Sequence, residues 1–170
     1  MGMKKMISLF TALCALAVLL VGCGGGDTET KQYNLDDVMA AIEAVAPVSV
    51  PAEMDDDYLT GMYGINLDDV EEYKGKYTNV SLSTDEILLV KAKAGKADTI
   101  KQALEARRDA KYEQAAMYDD VQAQKAQNGR IVVKGDYLFF IVVGDETRIE
   151  NGEVDAVYQE VDEALNAALA

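Results

Sequence analysis

The chain has 170 residues, 49% of them hydrophobic and 27% charged, the balance of an ordinary globular protein with one modest domain rather than a disordered or fibrous one. Its formal charge is −14 and its isoelectric point is near 4.3, so a phosphate backbone is repelled and no nucleic-acid partner is expected. It has no histidine and no tryptophan, which removes imidazole metal sites, Ser-His-Asp and Cys-His catalysis, and histidine pH switches.

Lys4 and Lys5 precede an apolar run over 6–21 that is too short and too abruptly ended for a membrane span of about 20 residues; the pattern is that of a secretory signal peptide. The run closes on Leu20, Val21, Gly22 and Cys23, which resembles the lipobox of bacterial lipoproteins at every position. That resemblance implies a lipoprotein signal peptide over 1–22, with Leu20, Val21 and Gly22 read by the signal peptidase. Cys23 then becomes the first residue and carries a diacylglyceryl group on its thiol. Two acyl chains, at about 0.8 kcal/mol per buried methylene, hold far more firmly than one. The expected location is the cell membrane, lipid-anchored, with the domain on the extracytoplasmic side. A retained apolar helix is the alternative, set aside because Cys23 occupies the one position the processing chemistry requires. The Gly2 myristoylation pattern fails, because Met6 stands where Ser or Thr is needed. On this reading Cys14 is discarded and Cys23 modified, so no disulfide forms and the domain depends on its core. An anionic membrane surface repels so acidic a body, which leaves the lipid to do the anchoring.

Residues 23–32, the lipidated cysteine with Gly24, Gly25, Gly26 and a polar stretch, read as a flexible tether. A single extracytoplasmic domain is expected over 33–170. Leu35, Val38, Met39, Ile42 and Val45 fall at helical spacing, with Asn34 as N-cap and Asp36 and Asp37 in the first turn. Pro47 and Pro51 stop this helix. The run 55–57 opens a second, short helix to about Tyr63, with Tyr58, Leu59 and Met62 inward, and a third is predicted over 66–75. The pentapeptide Asn-Leu-Asp-Asp-Val occurs at 34–38 and again at 66–70; it reads as one helix-start chemistry used twice. Val80 and Leu82 alternate as a strand, 83–85 turns, and 87–90 is a buried strand. A long charged helix is predicted over 98–118, with Ile100, Ala103 and Leu104 inward and Arg107 and Arg108 one turn later, a break near Asp119, and a continuation to Asn128. Strands at 130–134 and 137–143 flank Gly135-Asp136, a primed hairpin turn. Val154, Val157, Tyr158, Val161, Leu165, Ala168 and Leu169 define a last helix whose stripe must dock. Together these elements predict an α+β fold: a small, mainly antiparallel sheet of about four strands with helices packed mostly on one face.

The segments 85–93, 96–98 and 103–107, followed by Arg130-Ile131-Val132-Val133-Lys134-Gly135-Asp136-Tyr137, form an order that is similar to a Firmicutes-type family of lipoproteins carrying a domain of unknown function. The resemblance covers about 35–143. It implies a lipobox and an α+β fold and carries over no catalytic residue.

The search for chemistry is mostly negative. Gly-x-Ser-x-Gly, Ser-x-x-Lys, Cys-x-x-Cys and phosphate loops are missing from the sequence, so no catalytic residue, cofactor or metal is nominated. The acids at 55–57, at Asp68, Asp69, Glu71 and Glu72, and at Asp119 and Asp120 lack the alternating spacing that wraps calcium, and they sit where helices start. Tyr58, Tyr63, Tyr73 and Tyr77 lie within one short stretch and are a candidate ligand groove; the plainer reading makes them core and rim aromatics. Arg107 and Arg108 suggest an anion site or, more plainly, two cations paired with nearby acids. The expected role is a non-catalytic interaction module for an unknown protein or cell-envelope partner. The alternative is a lipoprotein that binds a small molecule, a peptide or a cell-wall fragment, which calls for a defined cleft lined by the tyrosines. A carboxylate-only hydrolase needs two acids about 5 to 10 Å apart across a cleft.

Overall fold

The computed structural model describes residues 31–170; the signal peptide, Leu20, Val21, Gly22, Cys23 and the rest of the tether before Lys31 lie outside the described residues. The two most apolar runs of the sequence become neighbouring strands at the middle of a sheet, β3 (Glu86–Ala92) and β5 (Tyr137–Val142). They are flanked by β2 (Val70–Thr78) and the short β1 (Pro51–Glu53) on one side and by β4 (Arg130–Lys134) on the other. The order is β1-β2-β3-β5-β4, and every neighbour pair is antiparallel.

Runs without alternation mean strands covered on both faces. Ile87, Leu89, Tyr137, Phe139 and Ile141 face α1 (Leu35–Val45) and α6 (Val154–Ala168). Leu88, Val90, Leu138, Phe140 and Val142 face the opposite layer. That layer contains α2 (Asp56–Tyr58) with its π-helical continuation Leu59–Tyr63, α3 (Ala97–Ala115) and α4 (Asp120–Asn128). The class is the α+β fold expected from the sequence. The sheet has five strands rather than about four, and helices cover both faces rather than mostly one, because β3 and β5 are apolar on both sides and need two covering layers.

Local signals set several boundaries. Asn34 accepts from the amides of Asp36 and Asp37 and opens α1; Asp119 accepts from Val121 and Gln122 and opens α4 at the expected break. Gly135, at φ 61°, occupies the first central position of the two-residue β4–β5 turn, with Lys134 opposite Tyr137, a conformation open to glycine. The α6 stripe docks as expected: Val157, Tyr158, Val161 and Leu165 are buried.

Three expectations change. The predicted third helix is one 3-10 turn (Leu67–Asp69) capped by Asn66, after which the chain enters β2. Strand pairing on both sides overrides the helix start there, and Gly75 lets the Met54 side chain sit where a Cβ would intrude. The expected strand at Val80 and Leu82 is a loop, with Leu82 at φ 67° and exposed. In the second helix the π winding turns Met62 outward and buries Tyr63 instead. A further short helix, α5 (Glu146–Glu150), precedes α6.

The N-terminal edge of the domain is tied to one pole of the sheet. The Lys31 ammonium donates to the Leu169 carbonyl at 2.8 Å, and the Tyr137 hydroxyl donates to Gln32 Oε1 at 2.8 Å.

Candidate functional site

At the opposite pole, where β3 begins, two charged residues precede the buried apolar run. Strand alternation sends Glu86 to the α3 face, and helical spacing stacks Arg107 and Lys111 one turn apart over it. Glu86 is wholly buried. Arg107 grips it with both prongs, Nε to Oε1 at 3.1 Å and Nη2 to Oε2 at 2.8 Å, and the Lys111 ammonium meets the same Oε2. Burial alone would push the Glu86 carboxyl up, but the Lys111 charge and the Arg107 hydrogen bonds and charge outweigh it and hold the group below the usual carboxylate range. Burial pulls the Lys111 ammonium below its ordinary value, only partly offset by Glu86.

These side chains form the floor of an open cleft of about 180 Å³. Tyr58 and Tyr77 form one wall, stacked at 4.2 Å between ring centroids and 20° between planes. The Tyr58 hydroxyl accepts from Arg107 Nη2 at 3.1 Å. Burial and then the Glu86 charge push the Tyr58 phenol well above its ordinary value. The rim is apolar: Met62, Leu82 and Tyr118 line the cleft from three separate segments, and Leu82 and Tyr118 remain 58% and 69% exposed. A leucine at positive φ is sparsely populated backbone, and strain of this kind gathers at binding sites.

Beside Glu86, Asp85 belongs to a second buried network. Its carboxylate accepts from Lys125 Nζ at 2.5 Å and from the Ser49 amide at 3.1 Å. Lys125, fully buried, also reaches Glu146 at 2.9 Å. Gln122 accepts from the Thr84 amide at 2.9 Å and donates to Glu146 at 2.8 Å, and the Tyr158 hydroxyl donates to the Lys125 carbonyl at 2.6 Å. The loop before β3 is thus fixed to α4, α5 and α6, which keeps the cleft floor from shifting.

The four tyrosines separate. Tyr58 and Tyr77 line the cleft. Tyr63 is buried behind it, edge-on to Phe140 at 5.8 Å, with Arg107 over its ring. Its hydroxyl lies beside Glu86 without a well-directed hydrogen bond, and burial pushes it far up. Tyr73 lies four residues, two pleat repeats, before Tyr77 on β2, outside the cleft lining, and donates to Asp56 at 2.7 Å; desolvation and that carboxylate push it up to about 12. Arg107 pairs with a strand acid and Arg108 with its neighbour Asp109. Asp55 caps α2 through the Tyr58 amide. Among the described residues no cluster of His, Cys, Asp or Glu could hold a metal ion, and no helix is long and apolar enough to cross a membrane.

Glu86, Lys111, Asp85 and Lys125 were not singled out from the sequence. The signal for the first three is two acids set directly against a buried strand, together with cations four residues apart on one face of α3; Lys125 lies on α4 and has no such local mark.

No curated protein and no solved structure matches the chain. A family model does, over residues 45–143, a span that contains the whole cleft lining and leaves out α6. The chain therefore belongs to the family of the domain of unknown function DUF4358.

Proposed function

We propose that this protein is a membrane-anchored extracytoplasmic lipoprotein, held by a diacylglyceryl group on Cys23, whose domain has a non-catalytic interaction role exercised through the cleft. Its occupant is a small molecule, a peptide or a cell-wall fragment. The anchor rests on the lipobox residues Leu20, Val21, Gly22 and Cys23. The binding role rests on one observation: a desolvated charged floor, a stacked tyrosine pair and an apolar rim converge in one concavity, the combination that distinguishes ligand sites from plain surface. Convergent titratable groups favour a ligand over a featureless docking face. Binding is favoured over acid–base hydrolysis because Asp85 and Glu86 are each held by cations rather than facing one another across a substrate.

The test is a thermal-shift screen of the full chain in detergent against amino acids, short peptides and wall-derived glycopeptides, with Tyr77→Ser as the cleft control. A ligand at a hundred times its Kd adds about 2.7 kcal/mol, a shift of roughly 5 to 10 °C at this size. The expected hit shifts the native chain and not Tyr77→Ser. A screen in which every shift is equal in the two proteins removes the cleft as the binding site.

A further inference from the structure

The hydrogen-bonding groups of the floor are unevenly satisfied. Every acid oxygen of Glu86 is in contact with a cation, and Asp85 is taken by Lys125 and Ser49. Asp119 uses Oδ1 to start α4. A cationic ligand finds little acceptor capacity here. The donors are in the opposite condition. Arg107 donates through Nε and Nη2, while its Nη1 amine meets no acceptor among the described residues. Lys111 contacts a single carboxylate and keeps ammonium protons to give. Two cations face Glu86, and the Asp85 charge also reaches Lys111; what the floor offers an incoming anion is unused, directed donor capacity on Arg107 and Lys111 where they line the cleft.

We infer that the cleft is a receptor for a carboxylate carried on a compact apolar or aromatic body, with the carboxylate seated against Arg107 and Lys111 and the body between the Tyr58–Tyr77 pair and the rim of Met62, Leu82 and Tyr118. The inference rests on the binding role proposed above and adds the ligand class. Size supports it: about 180 Å³ is below the range of about 300 to 1,000 Å³ for drug-sized ligands and suits one compact group. The chemistry is the same whether the carboxylate belongs to a free acid or ends a peptide chain.

Calorimetric titration of the full chain in detergent uses four probes: N-acetyl-phenylalanine, its amide, a pentapeptide ending in phenylalanine, and the same peptide amidated. The acid is expected to bind about tenfold or more tightly than the amide, the margin of a charge-assisted hydrogen bond. Lys111→Met leaves the Arg107–Glu86 pair and the Arg107 Nη1 donor in place and is expected to cut that preference severalfold; Lys111→Arg is expected to keep it. If the peptide acid binds like the single residue, the ligand is a chain terminus; if only N-acetyl-phenylalanine binds, it is a small acid, and both outcomes support the class. Equal binding of acid and amide, or a preference undiminished in Lys111→Met, overturns it. If none of the four probes binds while the broader screen gives cleft hits that are lost in Tyr77→Ser and that bind equally well with their carboxylates amidated, the carboxylate class fails and the binding role stands. If neither set yields a cleft ligand, both fail.

Discussion

Glu86 and Arg107 meet in a two-pronged ion pair, 3.1 and 2.8 Å long, that joins the start of the central strand to the middle of α3. Removing one member of such a buried pair strands the other charge, which typically costs about 3 to 5 kcal/mol. Glu86→Gln is therefore expected to fall in that range by urea denaturation. Lys111→Met, which leaves a neutral pair behind, is expected to cost clearly less. Equal losses would mean that Lys111 is as necessary to the floor as Arg107.

The same pair gives stability a pH dependence. Burial raises the Glu86 carboxyl, but Lys111 and Arg107 lower it further, so its folded value lies below the unfolded one. In the window between the two, the unfolded chain binds more protons, and stability rises with pH. The contribution is whole above the ordinary carboxylate value of about 4.3 and is lost as pH falls through the folded value. Melts from pH 7 to pH 3 are expected to show native stability falling more steeply than that of Glu86→Gln in the acid half. Parallel curves would remove Glu86 as the source.

Gly135 holds φ 61° in a two-residue turn. Gly135→Val places a β-branched side chain in that left-handed region and is expected to cost roughly 1 to 3 kcal/mol. An unchanged Tm would show the turn relaxing to another type.

The α6 stripe allows a graded test. Leu165→Ala is expected to cost roughly 2 to 4 kcal/mol and Val161→Ala somewhat less, since both side chains are buried between α1 and the sheet. Glu163→Ala, at an exposed bond to Gln159, should be close to neutral. From sequence alone Asp162 looks equally free. The structure gives it both prongs of Arg130, at 2.9 and 3.0 Å, with that guanidinium 4.7 Å from the Tyr158 ring centre. Asp162→Ala should therefore cost about 1 kcal/mol. Four thermal melts decide the ranking.

For the anchor, Cys23→Ser is expected to leave an unprocessed precursor that takes up no palmitate analogue. Labelling that survives the substitution would overturn the lipoprotein reading.

What the sequence could carry was local. Asn34 and Asp119 mark helix starts by their side-chain chemistry, Gly135-Asp136 marks its turn, and the α6 periodicity marks a docked helix. The same pentapeptide that opens α1 at Asn34 opens only a single turn at Asn66, because β1 and β3 claim residues 70–78 as a strand. That decision is made by segments distant in sequence. The site divides the same way. Tyr58 and Tyr77 converge as a groove should, but Tyr63 turns inward with the π winding and Tyr73 lies further along its strand. Arg107 and Lys111 show helical spacing, yet nothing local says that their carboxylate is Glu86, 21 residues earlier than Arg107.

Lys31 and Gln32 are fastened beside Leu169 and Tyr137, at the end of the sheet where β3 finishes and β5 begins. Glu86 pairs with Val142 at the other end, and Lys91 with Tyr137 at the near one. The separation is five strand steps, about 17 Å. Tyr137 also looks toward α1 and α6, whereas Glu86 looks toward α3. Lys31, where the described chain begins, and the cleft mouth therefore occupy opposite poles and opposite sides of the sheet, so under the proposed lipid attachment the tether joins the domain away from its opening and leaves the cleft free to take a ligand while the lipid stays inserted.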